Sequence, residues 1–167
     1  MEQIEAIDVR IYARAHSEIG SEPAKWDPRT RETADHSLPY MLAVAFTDGR
    51  VGPASYEPAR YLDPALRPLM SRIRVLEHAE FTRRFPQALA SELEIRTRSG
   101  ERFVERAEYP KGHAKNPMND ADVVAKFRDL TADALSPAQA DGSLDALWRL
   151  EEAPGLGSVL DLFTISR

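Results

Sequence analysis

The sequence predicts an α+β fold, with a four-stranded, mostly antiparallel sheet and helices packed on one face, in a single domain of 167 residues. Three observations predict it. Apolar and polar residues alternate in short segments near residues 4–14, 72–78, 88–98 and 101–109, which is the period of half-buried strands. Between and after these segments, apolar residues recur at helical spacing behind recognisable start signals. The length is that of one domain, enough to bury roughly two-thirds of the unfolded surface.

Taken in order, "IEAIDVRIYAR" sets Ile7, Val9, Ile11 and Ala13 on one face and Asp8, Arg10, Tyr12 and Arg14 on the other, the pattern of a first strand. A short helical turn is expected before Gly20, followed by a Pro- and charge-rich loop to about Glu32. From Asp35 the period changes. Leu38, Met41, Leu42 and Ala45 are spaced as a helix, Asp48-Gly49 stops it, and Pro39 is tolerated in a first turn, which sets the start near Asp35. Asp63-Pro64 starts a further short helix. "RIRVLEH" is a second strand with Ile73 and Val75 on one side. Two more strands flank Ser99-Gly100 as a two-residue hairpin, a register that sets Ile95 opposite Val104 and Glu94 opposite Glu105. After the loop "YPKGHAKNPM", Asn119 caps a helix to about Leu135, with Val123, Val124, Phe127, Leu130 and Ala134 as a buried stripe. Ser136-Pro137 opens the next helix, with Leu144, Leu147, Trp148 and Leu150 recurring, and "SVLDLFTI" closes with a helical turn or two.

Composition narrows the function. Apolar residues make up 43% and charged residues 29%, without an apolar run approaching the length of a membrane span. Met1 is followed by Glu2 and Glu5, not by a basic and then apolar leader, so a cytoplasmic location is expected. The absence of cysteine removes disulfides and thiolate metal sites. A net charge of −5 argues against a nucleic-acid backbone as the main partner.

The informative stretch is "KWDPRTRETADHSLPYMLAVAFTDG". Lys25, Arg29 and Arg31 precede a helix whose N-terminus itself attracts anions; with Asp35 as cap, His36 falls in the first turn and Tyr40 on the same face one turn later. Such a set suits a di- or tricarboxylate, with His36 exchanging a proton near neutral pH and Tyr40 donating to a developing negative charge. The plain alternative is loop arginines in water and a tyrosine packed for structure. "KGHAKNP" offers a second edge in Lys111, His113 and Lys115, with a solvated basic loop as its alternative. His16 and His78 lack partners at metal-ligand spacing, and no P-loop, GxGxxG, HExxH or GxSxG occurs.

Together with "YPKGHAKNPMNDADVVAKF" and "LDALWRLEE", that stretch resembles the C-terminal half of the MmgE/PrpD family, which includes 2-methylcitrate dehydratases, cis-aconitate decarboxylase and iminodisuccinate epimerase. The resemblance implies a cofactor-free lyase on small polycarboxylates, acting by proton abstraction beside a carboxylate, with an α+β lid domain closing over a large helical N-terminal domain. It implies Tyr40 as the direct active-site residue with His36 beside it; Arg29, Arg31, Lys111 and His113 of the two basic loops are the candidate substrate contacts read from their charge and position. The helical domain has no counterpart in these residues, so the resemblance implies a partner chain that supplies it, with a homo-oligomer also compatible. A polycarboxylate-binding module without catalysis and an inactive truncated fragment are the other readings.

Overall fold

The computed structural model describes residues 3–164 and divides into two compact units, Met1–Asn116 and Pro117–Arg167. The first unit opens with strand β1 (Ile4–Ile11), then α1 (Ala13–Ile19), a 3-10 turn at Pro23–Trp26, α2 (Arg31–Asp35) and α3 (Leu38–Asp48). Short helices α4 (Pro58–Tyr61) and α5 (Arg67–Met70) lead to β2 (Ile73–Glu77), α6 (Ala79–Arg84) and a hairpin of β3 (Ser91–Thr97) and β4 (Arg102–Ala107).

The sheet order is β2-β1-β3-β4, with β1 parallel to β2 and the other two pairings antiparallel. A parallel pair needs a long crossover, and here the crossover holds α1 to α5 and therefore the whole basic stretch. Its helices cover the face carrying Ile7, Val9, Ile11, Ile73 and Val75, all buried. Tyr40, Ala43 and Val44 of α3 pack there with Leu66, Leu69 and Met70. Gly20 ends α1 against β2. A Cβ on it would lie 2.4 Å from Val75 Cγ1, so only glycine permits this approach.

The crossover helices stop short of the hairpin. Leu93 and Ile95 of β3 are partly buried, and every residue of β4 is exposed, Phe103 by 55%. The hairpin register differs by one residue from the sequence expectation. Ile95 pairs with Phe103 and Glu94 with Val104. The cause is a three-residue loop in place of two: Gly100 adopts φ +87°, its N–H bonds Thr97 O, and Thr97 N–H bonds Glu101 O. A turn followed by a left-handed glycine adds this bulge residue.

The opposite sheet face is ionic. Asp8 and Glu94 stand directly opposite each other, 2% and 5% exposed, a repulsive pair if left alone. Arg74 clamps Asp8 with bonds of 2.7 and 2.6 Å, and Arg10, Arg96 and Arg102 each reach Glu94 at 3.0–3.1 Å. These contacts hold the Asp8 carboxyl below its ordinary pKa, Arg74 first among them, and depress Glu94 to about 2, chiefly through Arg102.

The second unit holds α7 (Asp120–Thr131), α8 (Pro137–Trp148), a 3-10 turn at Leu150–Glu152, α9 (Leu156–Leu160) and a 3-10 turn at Asp161–Phe163. Asn119 with Asp122 and Ser136 with Gln139 form capping boxes at the two starts the sequence indicates. The expected stripe on α7 is not buried: Val123 is 40% and Leu130 53% exposed. Leu135, Ala140, Leu144 and Val159 are buried, and the small unit does not cover the rest of its apolar surface. The last part of "SVLDLFTI" lies outside the described residues. Among the described residues no helix is long and apolar enough to cross a membrane.

Candidate functional site

The basic stretch folds as two short helical pieces with a link, not as one helix begun at Asp35. Thr30 caps α2 through Thr33 N–H, and Ser37 caps α3 by accepting from Tyr40 N–H at 3.1 Å. Serine is as good a cap as aspartate, and this one is fully buried, with its hydroxyl also donating to Lys25 O. That bond ties the loop start to the helix start. Trp26 Nε1 donates to Ile73 O at 2.9 Å and fastens the same loop to β2. His36 therefore sits in the link between α2 and α3, outside the first turn of α3.

There its side chain is 51% exposed. Its Nδ1 lies 2.6 Å from Asp35 Oδ1 and 3.1 Å from Glu32 O. A carbonyl only accepts, so Nδ1 carries the proton and Nε2 is left to the outside. The Glu32 carbonyl first, then the Asp35 carboxylate, raises the pKa of His36 above its ordinary value. Glu32, Asp35 and His36 also bring one ligand atom each within 4.8 Å of one another. All three are exposed. Their contacts account for the raised pKa of His36, and such open groups lack the enclosing shell of a dedicated cation site.

Tyr40 corrects the sequence expectation most sharply. It is 0% exposed, its hydroxyl donates to Ser55 O, and burial pushes its pKa up to about 12. At the third position of α3 its side chain turns inward to the core, so it positions the Ser55 loop against the helix and offers nothing to a ligand in this conformation. Tyr56 lies closer to the surface. Its ring is 6.5 Å from that of Tyr40, it is partly buried, and its pKa is raised by burial and then by the Asp35 carboxylate. No spacing rule singles Tyr56 out.

Arg29 is 72% exposed and donates from Nε (2.9 Å) and a terminal nitrogen (2.6 Å) to one oxygen of Asp27. Arg67 takes the other oxygen at 2.8 Å and also bonds Tyr61 O and Pro28 O. Arg67 and then Arg29 hold Asp27 below the usual carboxylate range. Two guanidiniums on one carboxylate leave one positive charge uncompensated, so the loop stays cationic. Arg67 is 40 residues from its partner in sequence, and the spacing analysis passes over it. Arg31 is exposed at the start of α2.

The second basic loop is compact. Gly112 at φ +93° lets its N–H reach Asn116 O, and Asn116 Nδ2 donates to Tyr109 O. His113 stacks on Tyr109 at 4.9 Å and accepts from Lys115 N–H through Nδ1, which leaves its Nε2 as the proton-bearing donor. Lys115 Nζ bonds the Tyr109 hydroxyl at 3.1 Å, and Lys111 is exposed.

The first unit also holds a groove of about 430 Å³. It lies where the crossover helices stop short of the hairpin, between α1, α3 and the β3–β4 strands, and its lining runs from Leu38 and Leu42 through Val9 and Leu93 to Pro110. Leu38 is two residues from His36 and Pro110 one residue from Lys111. The fold thus brings Leu38, at the start of α3, and Pro110, in the second basic loop, to one groove whose charged lining residues are Glu92 and Glu105.

A family profile for the MmgE/PrpD C-terminal domain matches residues 1–151. Similar proteins include the 2-methylcitrate dehydratase of Cupriavidus necator, 31% identical over 140 residues, covering 78% of this chain and 29% of that protein. The 2-methylcitrate dehydratase of Escherichia coli (strain K12) is 29% identical over 172 residues, covering 97% of this chain and 35% of its own length. Cis-aconitate decarboxylase of Mus musculus is 25% identical over 125 residues, covering 75% of this chain and 25% of the enzyme. The chain thus spans between a quarter and about a third of the length of these relatives.

Proposed function

Since this chain belongs to the MmgE/PrpD family, as its C-terminal domain, we propose that it is the lid half of a cytoplasmic lyase of the 2-methylcitrate dehydratase kind, acting on small polycarboxylates. The observation that carries this reading is the family match over residues 1–151, and the exposure of Arg29, Arg31, His36 and Lys111 in the two basic stretches agrees with it. Arg29, Arg31 and Lys111 supply attraction for substrate carboxylates. His36, whose pKa is raised by the Glu32 carbonyl and the Asp35 carboxylate at its Nδ1–H, presents Nε2, when the ring is cationic, as the acid that protonates a leaving hydroxyl as it departs as water. His113, with Nε2–H outward, donates a hydrogen bond without exchanging its proton.

The carbon-bound proton goes to a base on the facing body, a helical domain on a second polypeptide, because acid and base must be held together on one substrate. The floor of the groove is apolar, which suits contact with that body more than direct contact with a polycarboxylate. The test is to co-purify the chain with a helical MmgE/PrpD N-terminal domain and follow the unsaturated product of 2-methylcitrate. Association with turnover is the expected result, and neither chain is active alone. No association and no turnover refute the proposal, whereas citrate binding to the isolated chain at micromolar Kd supports a binding module without catalysis.

A further inference from the structure

The sheet ends at β4 without a cover: the strand order places it at an edge, and Arg102 to Ala107 are all exposed. Its backbone groups sort into two sets. Thr97 N–H bonds Glu101 O, so the alternation of an antiparallel ladder turns the groups of Phe103 and Glu105 toward β3 and those of Arg102, Val104 and Arg106 outward. Among the described residues no strand takes up that outward row. The side chains of the same three residues lie on the ionic face, opposite Arg96, Glu94 and Glu92. There the carboxylates of Asp8 and Glu94 are sunk in the sheet while the side chains of Arg74 and Arg102 are 60% and 62% exposed, so an approaching group meets guanidinium first. Beside β4 a hollow of about 370 Å³ has Leu93, Ile95 and Phe103 in its lining.

We propose that β4 accepts an extended acidic segment of a partner protein as a fifth strand. A free edge gives affinity through main-chain hydrogen bonds, and the side chains on the two faces give selectivity. On the ionic face the segment carries Asp or Glu opposite Arg102 and Arg106, and on the other an apolar residue beside Phe103 that enters the hollow. The charge pattern rejects a second copy. Pairing β4 with itself about a two-fold axis sets Arg102 against Arg106 twice when centred on Val104, Glu101 against Glu105 twice when centred on Phe103, and Glu105 against itself when centred there. A nucleic acid finds nothing to stack on, since the strands place no aromatic residue on the ionic face. The edge shares no residue with the lyase site.

The full chain is titrated by fluorescence anisotropy with a labelled peptide of about ten residues in which Glu alternates with Val and Ile. One control carries Lys in place of Glu, and another carries methyl groups on the backbone nitrogens that donate to β4, which leaves every side chain unchanged. The Glu peptide binds with a Kd of about 10–100 μM and both controls at least about tenfold more weakly. On binding, the amides of Arg102, Val104 and Arg106 become protected from hydrogen exchange. Val104→Pro removes an outward N–H that β3 does not use and weakens the Glu peptide about tenfold. Arg102→Glu weakens the Glu peptide and strengthens the Lys peptide, a gain that a damaged fold cannot produce. Equal binding of the methylated or the Lys peptide, no binding of the Glu peptide, unchanged exchange at the three amides, or undiminished binding by both folded variants overturns the proposal. So does an oligothymidylate of about ten nucleotides that binds as tightly as the Glu peptide, or a chain that sediments as a dimer with the three amides already protected.

Discussion

Replacing Tyr40 by phenylalanine removes one oxygen from a side chain with no solvent exposure, and the consequence follows from what that oxygen touches. Among the described residues it donates to the Ser55 carbonyl, which is itself on a buried residue. Tyr40→Phe leaves that acceptor without its donor in a site too closed for water to enter freely, a loss of about 1–3 kcal/mol. For a chain of this length that lowers Tm by roughly 2–12 °C. Tyr40→Ala also empties the ring volume within the buried cluster that includes Val44 and Met70 and costs about 3–5 kcal/mol. Two assays separate structure from chemistry. Urea denaturation followed by circular dichroism reads the stability loss. Turnover of the reconstituted enzyme, normalised to folded protein, stays within a few-fold of the parent for Tyr40→Phe, whereas loss of a group that moves a proton costs about 10²–10⁴-fold. The same burial sets an alkaline limit: with the folded pKa near 12 against an ordinary value of 10, the hydroxyl's contribution is complete below pH 10 and is lost as pH rises towards 12. A Tyr40→Phe variant as stable as the parent, or one that is fully folded and inactive, refutes the placement of this hydroxyl.

Gly20→Ala forces a methyl group to within 2.4 Å of Val75 Cγ1 and lowers stability by about 1–3 kcal/mol in the same denaturation assay; Gly52→Ala, with nothing within 4 Å, does not. Acid unfolding draws on Asp8 and Glu94: both pKa values are lowered in the fold, so their stabilisation is present above the ordinary carboxylate range and is lost as pH falls towards about 2, and Arg102→Gln moves the acid midpoint upward by removing the main contact of Glu94. His36 titrates above its ordinary 6.5 by proton NMR, and Asp35→Asn brings it down; because the raised pKa favours the cation, anion attraction at this position is present at lower pH and fades as pH rises through that value.

Local signals along the chain account for much of what is seen. The alternation of Ile7, Val9 and Ile11 is a strand buried on one face, and the caps at Asp63, Asn119 and Ser136 sit where their residue types require. The family resemblance, carried by long motifs in order, agrees with the profile match. Where two local rules competed, the sequence misled. Asp35 and Ser37 are both good caps, and the choice fell to Ser37 because its hydroxyl also reaches Lys25 O across a folded loop. Ser99-Gly100 admits a two- or three-residue hairpin loop, and the bulge at Gly100 decided which residues of β4 face β3.

By itself the sequence determined what acts within a turn or two of the chain: strand period, helix caps, charge balance and the motifs of a family. Only the tertiary structure decided which way Tyr40 points, that Arg67 holds the loop through Asp27, that two opposed carboxylates are clamped by four arginines, and that Leu38 and Pro110 line one groove. The physical reason is range. Dihedral preferences and capping bonds are settled between neighbours, whereas burial and ion pairing are settled by whichever group the folded chain brings near, here from 40 to nearly 90 residues away.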